Sequence, residues 1–177
     1  LFRDEIFPAL EGVRAMVGET LIVTLTLPPL LKESGIPPYP LLWRLERLAT
    51  VAPAGIKVAI ELREGAYVTD DYRAFLRETG WLHVVSTWPG APDLESQWQL
   101  GDRDAPRLVR LASPRPKTPA LGYQLDGALH RPQPEVRKSL ARALRSDERE
   151  TFVLASNAFE GCAPLSLEAL AESVVSG

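Results

Sequence analysis

Cysteine and histidine are scarce in this sequence, and their scarcity excludes several kinds of site. Cys162 is the single cysteine, so no intrachain disulfide can form, and a reducing cytoplasm is the expected location. The two histidines, His83 and His130, do not stand in a metal-ligand spacing. We therefore expect no histidine-based metal site and no cofactor. His83 is interpreted as a hydrogen-bonded core residue, and Cys162 as a small buried residue rather than a nucleophile.

Long apolar runs and a strong excess of one charge are also missing. No apolar run approaches the ~18 residues of a membrane-spanning helix, and no signal-peptide pattern opens the sequence. The net charge of −3 gives no general electrostatic argument for binding nucleic acid or an anionic membrane. No Walker loop and no Gly-x-Gly-x-x-Gly or Gly-x-Ser-x-Gly motif occurs either. The sequence therefore gives no motif evidence for nucleotide binding or for a serine hydrolase.

What the sequence does contain is a strand pattern at 57–63, KVAIELR, that is apolar until its end. Alternate residues of a strand point to the same face. One face therefore takes Val58, Ile60 and Leu62, and the other takes Ala59, Glu61 and Arg63. A strand that is apolar on one face and charged at its carboxyl end is typical of a parallel sheet that binds ligands at that end.

Helices and strands alternate along the rest of the chain. Three- and four-residue spacing of apolar residues predicts helices after the N-cap Thr69, after the N-cap Ser166 at 167–175, and at 3–17, 40–51, 94–98 and 134–145. Apolar runs between turn signals predict strands at 21–27, 57–63, 81–88, 107–112 and 151–157. A proline-rich loop follows the first strand, and 118–133 has no clear periodicity.

Alternating strands and helices predict parallel βα units and an α/β fold. About five such units cannot close an eight-stranded TIM barrel, which typically needs about 250 residues. The sequence also starts at Leu1 inside an amphipathic pattern. We therefore expect residues 1–177 to form a single domain, the C-terminal part of a (β/α)8 barrel that lacks its first strands. A missing N-terminal segment or a partner chain would complete it. An open doubly wound sheet is the alternative.

Four stretches together resemble the YecE-like family, domain of unknown function 72. They are LTLPP at 25–29, AIELR at 59–63, HVVSTWP at 83–89 and SNAFEGCAPL at 156–165. The resemblance implies a TIM-barrel-like fold with a polar pocket at its top, and it implies no particular chemistry. Family members usually carry a glutamine where this chain has Thr26, and often paired asparagines where it has Ser156 and Asn157. Both differences reduce the polar groups at the implied pocket.

Assigning the more apolar face of each strand to the surrounding helices predicts which side chains face the pocket. In the last strand, Phe152 and Leu154 would pack on helices, while Thr151, Val153, Ala155 and Asn157 would point inward. Trp88, at a strand end, could stack on a sugar or base. The candidate ligand-binding residues are Arg63, Arg110, Asn157, Thr26, Trp88 and Glu160.

Arg63 and Arg110 are expected to converge on an anionic group, because the planar guanidinium forms paired hydrogen bonds with phosphate or carboxylate. Glu61 would orient an arginine or act as a catalytic acid or base. Three alternatives remain open. Glu61 and Arg63 could form a purely structural network, Glu61 and Glu160 could hold Mg²⁺, and the basic loop 115–117 could extend the surface toward a polyanion.

Two functions follow from these residues. The first is an enzyme that acts on a small phosphorylated or carboxylated molecule at the carboxyl ends of the strands, with Glu61 as the catalytic group. The second is a non-catalytic module that binds an anion, nucleic acid included, through the same surface. No membrane partner is expected, because no apolar run is long enough to span a bilayer.

Overall fold

The computed structural model of the chain describes residues 1–18, 21–113 and 128–177. Its strands are β1 (Ile22–Thr26), β2 (Lys57–Glu61), β3 (Leu82–Ser86), β4 (Arg107–Leu111) and β5 (Thr151–Ala155). Its helices are α1 (Phe7–Val17), α2 (Leu30–Ser34), α3 (Pro38–Ala49), α4 (Asp70–Thr79), α5 (Leu94–Trp98), α6 (Pro134–Arg145), α7 (Asn157–Glu160) and α8 (Ala163–Val175). A π-helical turn, Phe2–Ile6, precedes α1, and a 3-10 turn, Gly65–Tyr67, follows β2.

All strand pairings are parallel, and the strand order is β1-β2-β3-β4-β5. Helices separate successive strands, because a parallel neighbour can be reached only through a crossover connection. The parallel α/β fold predicted from the sequence is therefore confirmed, and it is consistent with part of a TIM-barrel-like fold. None of the helices within the described ranges is long and apolar enough to span a membrane.

The chain divides into two compact units. The first holds residues 1–83 and 100–102, with β1, β2 and the start of β3. The second holds residues 84–99 and 103–177, with the end of β3, β4 and β5.

The first unit has a core between its strands and the helices α3 and α4. Val58, Ile60 and Leu62 pack there, with Val23 and Leu25 of β1 beside them. The helices contribute Leu41, Leu42, Leu45, Tyr72, Phe75 and Leu76. The predicted assignment of faces in β2 is therefore confirmed. Thr69 caps α4 as predicted, by accepting a hydrogen bond from the Tyr72 amide at 3.2 Å, and Gly80 ends it with φ of 68°.

The second unit has a separate core that includes α6 and α8. Val109 and Leu111 of β4 pack there with Leu140, Phe159 and Leu170. Arg110 lies between Val109 and Leu111, so it takes the other face of β4, as the sequence predicted.

In β5 the predicted faces are wrong. Val153 and Ala155 pack against the core of the second unit, whereas Phe152 is 39% exposed and Leu154 is 49% exposed. Both sets of side chains are apolar, so hydrophobicity along the strand does not distinguish them. The pairing with β4 decides between them: it sets Val153 beside Val109 and Leu154 beside Arg110, and paired residues of parallel strands share a face.

This assignment predicts opposite outcomes at adjacent positions of β5. Val153→Asn places an amide against the core of the second unit and should lower the free energy of unfolding by about 1–3 kcal/mol. Leu154→Asn should change it by no more than about 0.5 kcal/mol, because Leu154 is half exposed. Urea denaturation of the two variants measures the difference. Equal losses, or a greater loss at Leu154, would contradict the observed faces.

One additional helix and several element boundaries differ from those predicted. A short helix, α2, forms inside the proline-rich segment, where the sequence indicated only a loop. Helix α8 begins at Ala163 after Cys162, so Ser166 is not its cap and is instead a fully buried residue within it. The strands predicted to carry Arg63 and Asn157 end before those residues, at Glu61 and Ala155. The basic loop 115–117 and most of 118–133 lie outside the described residues.

Candidate functional site

The first unit brings together three of the candidate residues at the carboxyl ends of β1 and β2. Thr26 pairs with Glu61 in the register of the two strands, and its hydroxyl donates a hydrogen bond to Glu61 Oε2 at 3.0 Å. Arg63 lies two residues past the end of β2, and its Nε is 3.8 Å from Glu61 Oε1. Both carboxylate oxygens of Glu61 therefore face a polar neighbour.

Burial gives these residues different chemical roles. The Glu61 side chain is fully buried, while that of Arg63 is 19% exposed. At 3.8 Å, Arg63 Nε and Glu61 Oε1 attract each other by opposite charge, without a hydrogen bond between these two atoms. Arg63 is therefore partly open to solvent, with a buried carboxylate on its inner side. A partly exposed guanidinium can bind a phosphate or a carboxylate.

Two side chains that were not predicted to matter, Glu64 and Tyr67, join the loops after β1 and β2 by hydrogen bonds. The Glu64 carboxylate accepts hydrogen bonds from the amides of Leu31 at 2.8 Å and Lys32 at 3.0 Å. The Tyr67 hydroxyl donates to the carbonyl of Ile36 at 2.5 Å. Burial, and then the neighbouring carboxylate of Glu64, raise the pKa of Tyr67, so this hydroxyl keeps its proton.

His83 is a buried core residue with a hydrogen bond, as the sequence predicted. Its Nδ1 lies 3.0 Å from the hydroxyl of Tyr72, which is also buried. Burial raises the pKa of Tyr72, which therefore stays neutral over the whole physiological range.

In the second unit, Arg110 lies near the carboxyl end of β4, and Trp88 follows the carboxyl end of the neighbouring strand β3. Arg110 pairs with Ser86, the last residue of β3, and is only partly buried. Trp88 lies two residues after Ser86, and its amide donates to the Ser86 hydroxyl at 3.2 Å. Thr87 links the two strands, since its amide donates to the Arg110 carbonyl at 3.1 Å.

Gln97 holds the turn beside Trp88, and no feature of the sequence singled it out. It is fully buried, accepts from the Ser86 amide at 2.8 Å, and donates to the carbonyls of Ser86 at 3.0 Å and Pro92 at 2.6 Å. Glutamine is most often exposed. Its place inside the short helix α5, which follows the end of β3, would have been the available signal.

Asn157 and Glu160 lie in α7, after β5, whereas Asn157 was predicted to be the last residue of the strand. Asn157 Oδ1 accepts a hydrogen bond from the Ala163 amide at 2.8 Å. Glu160 is fully buried, and its Oε1 contacts Arg137 and accepts from the Gln133 amide at 2.5 Å. Within the described part of the chain, Glu160 Oε2 has no hydrogen-bond partner. The visible contacts of both side chains therefore hold backbone segments in place.

Side chains that could hold a metal ion do not cluster in the part of the chain that the structure describes. Among the residues it describes, no group of three or more His, Cys, Asp or Glu side chains is placed to hold an ion. Glu61 and Glu160 each contact an arginine, and a Mg²⁺ site formed by these two carboxylates stays a prediction. Cys162 is a free thiol of intermediate exposure.

The predicted site is thus brought together in part. Thr26, Glu61 and Arg63 form one cluster in the first unit. Arg110, Trp88, Asn157 and Glu160 belong to the second unit. The joint binding of one anion by Arg63 and Arg110 stays a prediction.

Comparison with known proteins adds a family and a fold. Residues 4–176 match the model of "Protein of unknown function DUF72". A DUF72 family protein from Thermotoga maritima has 18% identity and a TM-score of 0.63, over 99% of this chain and 66% of that one. A DUF72 family protein from Enterococcus faecalis has 14% identity and a TM-score of 0.68, over 98% of this chain and 69% of that one. No curated protein matches the sequence. At these identities the structural likeness shows the fold alone.

Proposed function

We propose that this chain, which belongs to the DUF72 family, binds a small phosphorylated or carboxylated molecule at the carboxyl ends of β1 and β2. One observation carries the proposal. Arg63 is partly exposed beside a fully buried carboxylate, Glu61, which is itself held by Thr26. Parallel α/β folds bind their ligands at this end of the sheet.

Glu61 acts in this proposal as a positioning residue. Its carboxylate accepts a hydrogen bond from Thr26 and faces Arg63, so the geometry favours orienting the guanidinium. The alternative in which Glu61 is a catalytic acid or base stays a prediction. So does the completion of a (β/α)8 barrel by further strands.

The proposal is tested by replacing Arg63 and measuring anion binding. Calorimetric titration with inorganic phosphate and with citrate should give at least about a tenfold weaker Kd for Arg63→Ala, because a charge-assisted hydrogen bond contributes about 1.5–3 kcal/mol. Arg63→Lys should fall between wild type and Arg63→Ala, because lysine keeps the charge and loses the planar fork.

Arg77→Ala is the matched control. Arg77 is exposed on α4, so this variant removes the same charge and leaves the cluster intact. Titrations are run at a temperature at which every variant is folded. Equal affinity in Arg63→Ala and Arg77→Ala would reject the proposal. Tight binding of a short oligonucleotide, with weak binding of phosphate and citrate, would replace the small-molecule ligand with nucleic acid.

A further inference from the structure

We infer that Glu64 and Tyr67 are positioning residues of this anion site, an inference that rests on the proposed function. They hold the loop after β1 against the loop after β2, next to Arg63. Glu64 supplies two hydrogen bonds to the first loop, and Tyr67 supplies one. Three hydrogen bonds therefore join the two loops at the carboxyl ends of β1 and β2.

The Glu64 carboxylate provides hydrogen-bond acceptors for backbone amides at the start of α2. Leu31 and Lys32 are in the first turn of α2, where amides have no partner within the helix. Both oxygens of the Glu64 carboxylate satisfy them, and a charged acceptor makes each bond stronger than a neutral one would. Glu64 follows Arg63 directly in the chain, so fixing Glu64 also restrains the backbone that carries Arg63.

Tyr67 fixes the far end of the same loop. Its side chain is buried, and its hydroxyl reaches the carbonyl of Ile36, just after the end of α2. The loop after β1 is thus held at 31–32 and again at 36. A binding site whose loops are already held in place loses less conformational entropy when the ligand binds, so the affinity for the ligand is higher.

A purely electrostatic effect of Glu64 and a positioning role predict opposite changes in anion affinity when Glu64 is replaced. Removing a carboxylate beside an anion site strengthens anion binding if charge alone matters. Removing the two hydrogen bonds weakens binding if Glu64 positions the loop. We expect Glu64→Ala to bind inorganic phosphate roughly tenfold more weakly than wild type, in spite of the loss of one negative charge.

Glu64→Gln and Glu33→Ala complete the comparison. Glu64→Gln removes the same charge as Glu64→Ala but keeps one acceptor, so its Kd should lie between those of wild type and Glu64→Ala. Glu33 is exposed in α2, and Glu33→Ala removes a carboxylate without removing the ties. Its affinity for phosphate should equal or exceed that of wild type.

Hydrogen exchange tests the tie without any ligand. In Glu64→Ala, the amides of Leu31 and Lys32 should exchange about tenfold faster than in wild type, and in Glu33→Ala they should not change. Tyr67→Phe should speed exchange in the same loop by a smaller factor. Unchanged exchange in Glu64→Ala overturns the inference.

The titrations separate this inference from the proposed function. If Arg63→Ala abolishes phosphate binding while Glu64→Ala binds as tightly as wild type, Arg63 binds the anion and Glu64 does not position the site. If Arg63→Ala has no effect on phosphate binding, the proposed function fails. Weaker binding in Glu64→Ala, together with faster exchange and an intermediate Glu64→Gln, supports both.

Discussion

Replacing Asp147 with alanine is expected to destabilise the second unit by about 3–5 kcal/mol, because it leaves a buried arginine without its carboxylate. Arg107 Nε is 3.1 Å from Asp147 Oδ2, and the two side chains are only 3% and 7% exposed. The guanidinium also donates to the Trp98 carbonyl at 2.9 Å and lies 4.3 Å from the centre of the Trp98 ring. These contacts persist in Asp147→Ala, but they do not neutralise the charge.

Two further variants show whether burial is the cause. Glu148→Ala removes a neighbouring exposed carboxylate and should change the free energy of unfolding by less than about 0.5 kcal/mol. Arg149→Ala removes the more exposed partner of Asp147 and should cost less than Asp147→Ala, since Asp147 keeps Arg107. Urea denaturation measures all three. A loss below about 1 kcal/mol for Asp147→Ala would mean that the pair contributes no more than a surface ion pair.

Replacing Glu160 with alanine should also cost about 3–5 kcal/mol. The variant removes the fully buried carboxylate that contacts Arg137 and accepts from the Gln133 amide, so both partners lose an acceptor. It also releases the amino-terminal end of α6, which follows Gln133 directly. Thermal and urea unfolding measure the loss.

The same variant decides between a structural and a ligand-binding Glu160. Glu135→Ala is its control, because Glu135 is a surface carboxylate of α6 paired with Lys138, and such pairs contribute at most about 1 kcal/mol. A large loss of stability with unchanged phosphate affinity would make Glu160 structural. A small loss of stability with weaker phosphate binding would restore the ligand-binding role predicted from the sequence.

Sequence patterns predicted a strand face correctly wherever its two faces differ in chemistry. In β2, Val58 and Ile60 alternate with Ala59 and Glu61, and the apolar pair faces the helices as expected. In β4, Val109 and Leu111 enclose Arg110, with the same result. Transferring Glu61 or Arg110 into an apolar core would cost so much that only one orientation is stable.

Sequence patterns did not predict the orientation of a strand whose two faces are both apolar. Both faces of β5 are apolar, so its orientation depended on its register with β4. The hydrogen-bonding side chains of Glu64 and Gln97 were also missed. Each serves backbone amides, and Glu64 reaches residues about 30 positions away, which no local spacing reveals.

The family was identified from the resemblance of four stretches of the sequence. Local sequence patterns were enough to predict the parallel α/β class, the cap of α4 at Thr69 and the placement of Glu61 at the carboxyl end of a strand. These depend on local periodicity and on the cost of burying charge. Three features became apparent from contacts between distant segments of the folded chain: Thr26 holds Glu61, Glu64 ties the loop after β1, and Phe152 and Leu154 face away from the helices. These features depend on strand register and on hydrogen bonds between residues far apart in the sequence, and both form only when the distant segments pack together.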